Sequence, residues 1–359
     1  MKGRVLVAGF STRHVVQSAH RAGYEVCAVD HFCDRDLSWY AKDVAKFEDL
    51  ADLPDAIGSI AKRHTFDLFV TTSGAEDLPT VLPLCGTSPD RVARYLDKLE
   101  IQHFFEGLEV PAPRIVPAGT YPAMIKPRRG AGGWRNRIVR NDRDRSAWES
   151  QNPGIPFIMQ EFVPGVPASV SCIANGRNAQ AVAVNEQILH GEGASTAFGF
   201  CGSVTPFSHP LGRRMISTAE LVAGGSGCTG SVGIDFVVDA DDFRTIEINP
   251  RFQGTVDTIE MATGCSLFQY HVDACSGILP QRMPPVKKFA VRSILFADRD
   301  ITVTSDLSCL APAVADIPWP GTFFEENQAI ISVFGRGATR KEALAVLDKH
   351  ISTVLQYIR

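Results

Sequence analysis

The chain lacks the two commonest phosphate-binding signatures. It has no G-x-x-x-x-G-K-[ST] loop, and the turn after its first predicted strand reads G-F-S-T-R instead of G-x-G-x-x-G, which excludes a P-loop and a full dinucleotide fingerprint. It also lacks any C-x-x-C pair. The nine cysteines are odd in number and scattered, which argues for reduced thiols in a cytosol and against a disulfide framework or a zinc site. Each is read as a small buried hydrophobe. No apolar run approaches the ~20 residues of a membrane span, no signal peptide precedes the first strand, and no repeat or low-complexity tract is visible. Positive charge is not in excess either. With 36 Lys and Arg against 40 Asp and Glu, the net charge is −4, and neither nucleic acid nor an anionic membrane is expected as a partner. What remains is a cytoplasmic globular protein of 359 residues, 45% apolar and 21% charged, long enough for two or three domains.

The organising stretch is SVGIDFVVDADDFRTIEINPRFQGTVDTIE, residues 231–260. GIDFVVD is apolar and β-branched, DADDF is turn-like, and RTIEIN alternates with period two. The pattern predicts a hairpin that brings Asp235 level with Glu247, with Thr245, Glu247 and Asn249 on one face and Ile246 and Ile248 on the other. Asp235, Glu247 and Asn249 then offer hard oxygen ligands beside Arg251, a set suited to Mg²⁺ held against phosphate.

Residues 4–10, RVLVAGF, read as a buried strand, followed by a helix and a second strand, EVCAV, closed by Asp30. Ser11, Thr12 and Arg13 stand at a helix start, where backbone N–H groups either are capped by the hydroxyls or hold an anion such as a carboxylate. FDLFVTT is a further strand, and Glu76 and Asp77 follow it at the carboxyl edge of the sheet, where open α/β sheets bind ligands. Ser88-Pro89 starts a helix with Val92, Tyr95, Leu96 and Leu99 as its buried stripe. Lys126 closes a strand before PRRGAGGWRNR, whose Gly130, Gly132 and Gly133, with Lys126, Arg128 and Arg129, suit a mobile cover over phosphate. PFIMQEFVPG is a strand whose end either simply terminates it or presents backbone groups to an adenine edge. The loop at 189–206, which contains His190 and Gly202, is long enough to be functional and is expected to touch a second substrate. Thr339–Glu342 is a capping box before a C-terminal helix.

In combination these motifs resemble the ATP-grasp superfamily, in particular an archaeal-type, carboligase-like branch related to biotin carboxylase. The resemblance covers nearly the whole chain. It implies an α/β, ATP-grasp fold: a Rossmann-like pre-grasp domain at 1–88, a two-part α+β grasp at 89–280 with a mobile lid at about 120–165, and a small β-rich module at 281–359. Asp97-Lys98 matches the dipeptide whose lysine reaches ATP phosphates, and Lys126 the second phosphate lysine. Gln160, Glu161, Phe162 and Val163 match the adenine hinge, and Asp235, Glu247 and Asn249 the ligands of two Mg²⁺ ions, replaceable by Mn²⁺. Arg251 matches the arginine that faces the transferring group. The chain departs from the pattern after the hinge, where Gly165-Val166-Pro167-Ala168 lacks the usual acidic ribose contact. Gly254-Thr255 replaces the substrate-side glutamate of biotin carboxylase, and no biotin-carrier motif is present.

The resemblance therefore implies an ADP-forming carboxylate–amine ligase with ATP as cosubstrate, an acyl-phosphate intermediate and small carboxylate and amine substrates. A homodimer is the expected assembly only because dimers are the commonest among soluble proteins. A bicarbonate-activating carboxylase and a nucleotide-binding protein without chemistry are the rival expectations.

Overall fold

The computed structural model describes residues 2–190 and 198–358. The N-terminal segment runs β1 (Arg4–Ala8), α1 (Arg13–Arg21), β2 (Glu25–Asp30), β3 (Ala41–Lys46), α2 (Leu53–Arg63) and β4 (Leu68–Thr71). Its four strands form a parallel sheet in the order β3-β2-β1-β4. β1 and β2 are buried along almost their whole length, as strands covered on both faces must be. The turns after β1 and β4 are joined where Phe10 N donates to Ser73 O (2.7 Å).

The helix expected from Ser88 onward is broken in two: α3 (Pro89–Arg94) and α4 (Lys98–Gly107). Asp97 causes the break, because its carboxylate accepts from Leu99 N (2.9 Å) and caps a new helix. Lys98 consequently heads a helix instead of riding along one.

Two antiparallel sheets follow. The smaller has β5 (Ala123–Pro127), β6 (Arg137–Val139), α5 (Asp142–Gln151) and β7 (Phe157–Glu161), in the order β6-β5-β7. It has a core of its own around Ile125, Trp148 and Met159. The larger begins with β8 (Val166–Asn175), β9 (Ala179–Leu189), β10 (Phe200–Thr205), α6 (Gly212–Gly225), β11 (Thr229–Val238) and β12 (Phe243–Asn249). After α7 (Val256–Thr263) and α8 (Leu267–Cys275), the same sheet takes up β13 (Phe289–Phe296) and, past β14 (Ile301–Val303), the short β15 (Val314–Ala315). β16 (Thr322–Phe324) pairs with β14, β17 (Ala329–Gly337) joins the large sheet, and α9 (Arg340–Ile358) ends the fold. The strand order is β12-β11-β8-β9-β10-β13-β17-β15, so the sheet continues without a break past residue 281.

α4 and α6 cover one face of this sheet around Ile101, Met215 and Val222. On the other face, Ile173, Phe252 and Phe268 share a core with Val5 and Val15 of the N-terminal segment. No helix among the described residues is long and apolar enough to cross a membrane.

Gly202 belongs to this architecture and not to a substrate loop. It pairs with Ser293 across β10 and β13, and a Cβ there would stand 2.0 Å from Arg292 O. The close approach of β13 requires glycine. Residues 191–197 of the expected 189–206 loop lie outside the described residues. His190 packs its ring on Phe296, with centroids 4.4 Å apart.

Candidate functional site

The hairpin forms as the alternation predicts, with Asp235 opposite Glu247 and Gly233 opposite Asn249. One part differs. The register slips between Asp235 and Phe236, so that Phe236 faces Thr245. This bulge breaks the period of two. Thr245 turns into the core, fully buried, while Ile246 joins Glu247 and Asn249 on the cavity wall. The expectation that Thr245 shares the face of Glu247 is thereby corrected.

Asn249 Nδ2 donates to Asp235 Oδ2 (2.9 Å), and Gln187 Nε2, from β9, donates to Oδ1 (3.0 Å). Burial raises the Asp235 carboxyl to about 7, and the facing Glu247 pushes it the same way. A buried carboxyl whose ionisation is opposed by burial and by a facing carboxylate, with an amide oxygen beside it, makes a donor set that a hard divalent cation would relieve. The residues present fit Mg²⁺.

Two lysines approach the same carboxylate. Lys98 Nζ is 3.4 Å from Glu247 Oε1 and donates to Gly130 O (2.7 Å). Lys126, 7% exposed at the end of β5, is lowered to about 8 by burial, with Glu247 opposing the shift and Lys98 adding to it. Lys98 is placed by its neighbours: its backbone N–H donates to Arg128 O (2.8 Å), and the Arg128 guanidinium grips both oxygens of Asp97 (3.0 and 2.6 Å). Arg128 is therefore a strut between α4 and the glycine loop, and it is absent from the cavity wall, where phosphate contact was expected. Gly132 and Gly133 do reach the wall, both with positive φ. A Cβ on Gly133 would meet Phe198 O at 2.2 Å.

A cavity of about 520 Å³ lies between the three-stranded and the eight-stranded sheets, within the usual range for a small-molecule site. Lys126, Asp235, Glu247, Asn249, Arg251 and Gln253 supply polar walls. Met124, Ile138, Phe162, Val163, Val237 and Ile246 supply apolar ones. Gln160 and Glu161 also border it, but the Glu161 carboxylate turns to Arg114 (2.8 Å). Gln160 is 5% exposed, and its Oε1 has no hydrogen-bond partner among the described residues.

Arg251 Nε pairs with Glu76 Oε1 (2.7 Å), and its Nη2 donates to Asn249 Oδ1 (3.3 Å). Glu76 thus carries the edge of the parallel sheet into the site, whereas the first-turn residues stay away. Thr12 donates from N and Oγ1 to Asp30 Oδ2 (2.6 and 2.8 Å). Arg13, 1% exposed, is held by Asp257 (2.7 and 2.8 Å) and Asp316 (2.8 Å). Ser11 O accepts from Thr72 Oγ1 (3.1 Å). The anion site expected at 11–13 is instead a buried junction.

Sequence reading missed Gln187, Gln253 and Ile246. For Gln187 a weak signal existed, since alternation through VNEQI puts Asn185 and Gln187 on one strand face. Gln253 reaches the cavity because a Cβ on the facing Gly233 would lie 1.6 Å from its amide, and nothing local in the sequence announces that.

The family model for the ATP-grasp domain matches residues 95–255. The chain carries an ATP-grasp domain. It is 28% identical over 202 residues to the carbamoyl phosphate synthase large chain of Rubrobacter xylanophilus, covering 51% of this chain. The chain spans about a fifth of the length of that relative, 19%. It is 23% identical over 365 residues to an uncharacterised protein of Methanocaldococcus jannaschii, covering 93% of this chain and 88% of that one. Among solved structures it is similar to the biotin carboxylase domain of Hydrogenobacter thermophilus 2-oxoglutarate carboxylase, a dimer in complex with MgADP, ADP and bicarbonate. The TM-score is 0.80 at 13% identity, covering 98% of this chain and 89% of that one. Around the ATP-grasp domain, the likeness extends the fold to the N- and C-terminal segments.

Proposed function

We propose that the protein is an ATP-dependent carboxylate–amine ligase, activating a small carboxylic acid as its acyl phosphate with release of ADP and forming an amide with an amine. The observation that carries this reading is the facing pair Asp235 and Glu247, lining one cavity with Asn249 and Lys126, and Lys98 3.4 Å from Glu247. Asp235, Glu247 and Asn249 would hold Mg²⁺, which when bound neutralises charge on the triphosphate oxygens. Lys126 and Lys98 bind the phosphates from the other side, and Lys98 exchanges its present bond to Gly130 O for one to phosphate. Arg251, fixed by Glu76, orients the substrate carboxylate for in-line attack. The Gly130–Gly133 loop closes over the phosphates and excludes water, so that the acyl phosphate reaches the amine before it hydrolyses. The assembly we favour is a homodimer, as in the structural neighbour.

The test is ADP release with Mg²⁺-ATP, hydroxylamine as surrogate amine and a panel of carboxylic acids that includes bicarbonate. ADP together with a hydroxamate is the expected result. ADP released only with bicarbonate moves the assignment to a bicarbonate-activating enzyme, the chemistry of the molecule bound in the neighbour. Tight ATP binding with no ADP from any acid would overturn the ligase reading.

Gln160 supplies a second, sharper expectation. Gln102 Nε2 donates to Glu106 Oε1 (2.8 Å), and Gln160 Nε2 donates to Gln102 Oε1 (2.8 Å). A carboxylate only accepts, so it orients both amides and leaves the Gln160 carbonyl for a donor. The amino group of adenine meets that need, and the carbonyl of guanine does not. Gln160→Leu is expected to raise KM for ATP about tenfold with kcat nearly unchanged, and to narrow the preference for ATP over GTP. Steady-state kinetics with both nucleotides checks it.

A further inference from the structure

We propose that Cys85 and Cys275 form a reversible disulfide, a modification site outside the nucleotide cavity that staples the N-terminal segment to α8. Their sulfurs lie 2.8 Å apart across 190 residues of sequence, closer than the roughly 3.5–4.0 Å at which heavy atoms rest without bonding. Cys85 is 3% exposed and follows Leu84, which bridges to Phe69 at the edge of the parallel sheet. Cys275, half-buried, is the last residue of α8.

His271, one turn earlier on α8, holds the pair in place. Its Nδ1 accepts from Ser231 N (2.9 Å), so the ring proton sits on Nε2 and is donated to Cys85 O (2.9 Å). The ring cannot turn. It stacks on Phe252 at 4.6 Å, and a Cβ on Gly230 would stand 2.4 Å from it. Cys85, His271 and Cys275 also meet the spacing of a metal site, with ligand atoms all within 4.8 Å of one another. Yet both ring nitrogens are already committed to backbone groups, which leaves two sulfurs, and two adjacent sulfurs favour bond formation with each other.

The two thiols are poised unequally. The hydrogen bond from Cys85 lowers Cys275 to about 5, against its burial, while the same bond and burial raise Cys85. Cys275 is therefore the attacking thiolate. With a peroxide as oxidant, the Cys275 sulfur takes one peroxide oxygen, the O–O bond breaks, and hydroxide leaves. Cys85 then attacks the sulfenic sulfur: the S–S bond forms, the S–O bond breaks, and the oxygen departs with the Cys85 proton as water. The hydroxide takes up the proton that Cys275 gave to solvent on ionising, so the two thiols lose two electrons in all and hydrogen peroxide becomes two waters.

The experiment treats the reduced full-length chain with hydrogen peroxide, blocks free thiols in denaturant and maps the peptides. The expected result is one linked pair containing residues 85 and 275, about 2 Da lighter than the sum of the two reduced peptides. Dithiothreitol should restore both thiols. The melting temperature of the oxidised protein should rise by roughly 5 °C, and Cys275→Ser should abolish both link and shift. The map of the unsubstituted protein stands even where that variant fails to fold. Cys275 recovered as sulfinic acid beside a free Cys85, or both thiols blocked as before, would overturn the proposal. So would zinc carried by the isolated protein that shields both thiols until a chelator removes it.

Discussion

Glu247→Gln is expected to cut ADP formation by at least about 10³-fold while leaving the fold intact. The side chain is isosteric and 29% exposed, so the change in stability should stay within about 0.5 kcal/mol. The activity loss has two parts. One of the two facing carboxylates loses its charge, and with it a hard ligand for Mg²⁺. Lys126 also loses support. Burial lowers its pKa to about 8 while Glu247 holds it up, so without Glu247 the ammonium deprotonates at still lower pH. A lysine whose pKa is lowered binds phosphate less as pH rises through that value. The parent protein should therefore lose triphosphate affinity above about pH 8, and the variant should begin to lose it below that. ADP release and calorimetric titration with Mg²⁺-ATP at pH 6.5 and 8.5 measure both effects, with thermal melting as the fold control. Turnover at the parent rate would remove Glu247 from the site.

The parts of this site that sequence could reveal depend on short-range regularity. Alternation through RTIEIN and the turn DADDF are local, and they brought Asp235 level with Glu247 as read. The bulge at Asp235 is not local. It shows only in the pairing of β11 with β12, and it exchanged Thr245 for Ile246 on the cavity wall. The eight-stranded sheet was equally hidden past residue 281, because the pairing of Gly202 with Ser293 joins strands about ninety residues apart. Lys98 illustrates a third limit. Its residue type was informative only through resemblance, and its position depends on Asp97 both capping α4 and gripping Arg128. Arg128 itself looked like a phosphate ligand because it sits in a basic, glycine-rich run, and composition does not say which arginine is already engaged. The same holds for the first turn. A hydroxyl-rich helix start beside a glycine suits an anion, but Arg13 was matched instead by carboxylates 244 and 303 residues away.

That junction carries the largest expected effect on stability. Arg13→Leu should destabilise the protein by about 3–5 kcal/mol, because removing one member of a buried ionic network strands the rest. Arg13 and Arg292 face Asp257, Asp316 and Asp36, and Asp316 is shared by both arginines (2.8 and 2.9 Å). Without Arg13, one cation is left for three carboxylates that remain buried. Burial acts to raise Asp257 and Asp316, but Arg13 and Arg292 hold both below the usual carboxylate range. Burial lifts Asp36 to about 6, with Arg13 opposing. The signs follow from linkage. Carboxylates with lowered pKa stabilise the parent above about pH 4, and that stability is lost as pH falls. Asp36, being raised, stabilises more as pH falls from above 6 towards 4. In the variant all three carboxylates are raised, so protonation relieves them and stability is regained on acidification. The loss should be greatest near pH 8 and shrink towards pH 4.5, as read from urea midpoints at several pH values. A substrate ligand would behave otherwise: KM would rise, the midpoint would hold, and no pH trend in stability would separate the two proteins. A variant with that behaviour would return Arg13 to the anion site suggested by its place at the helix start.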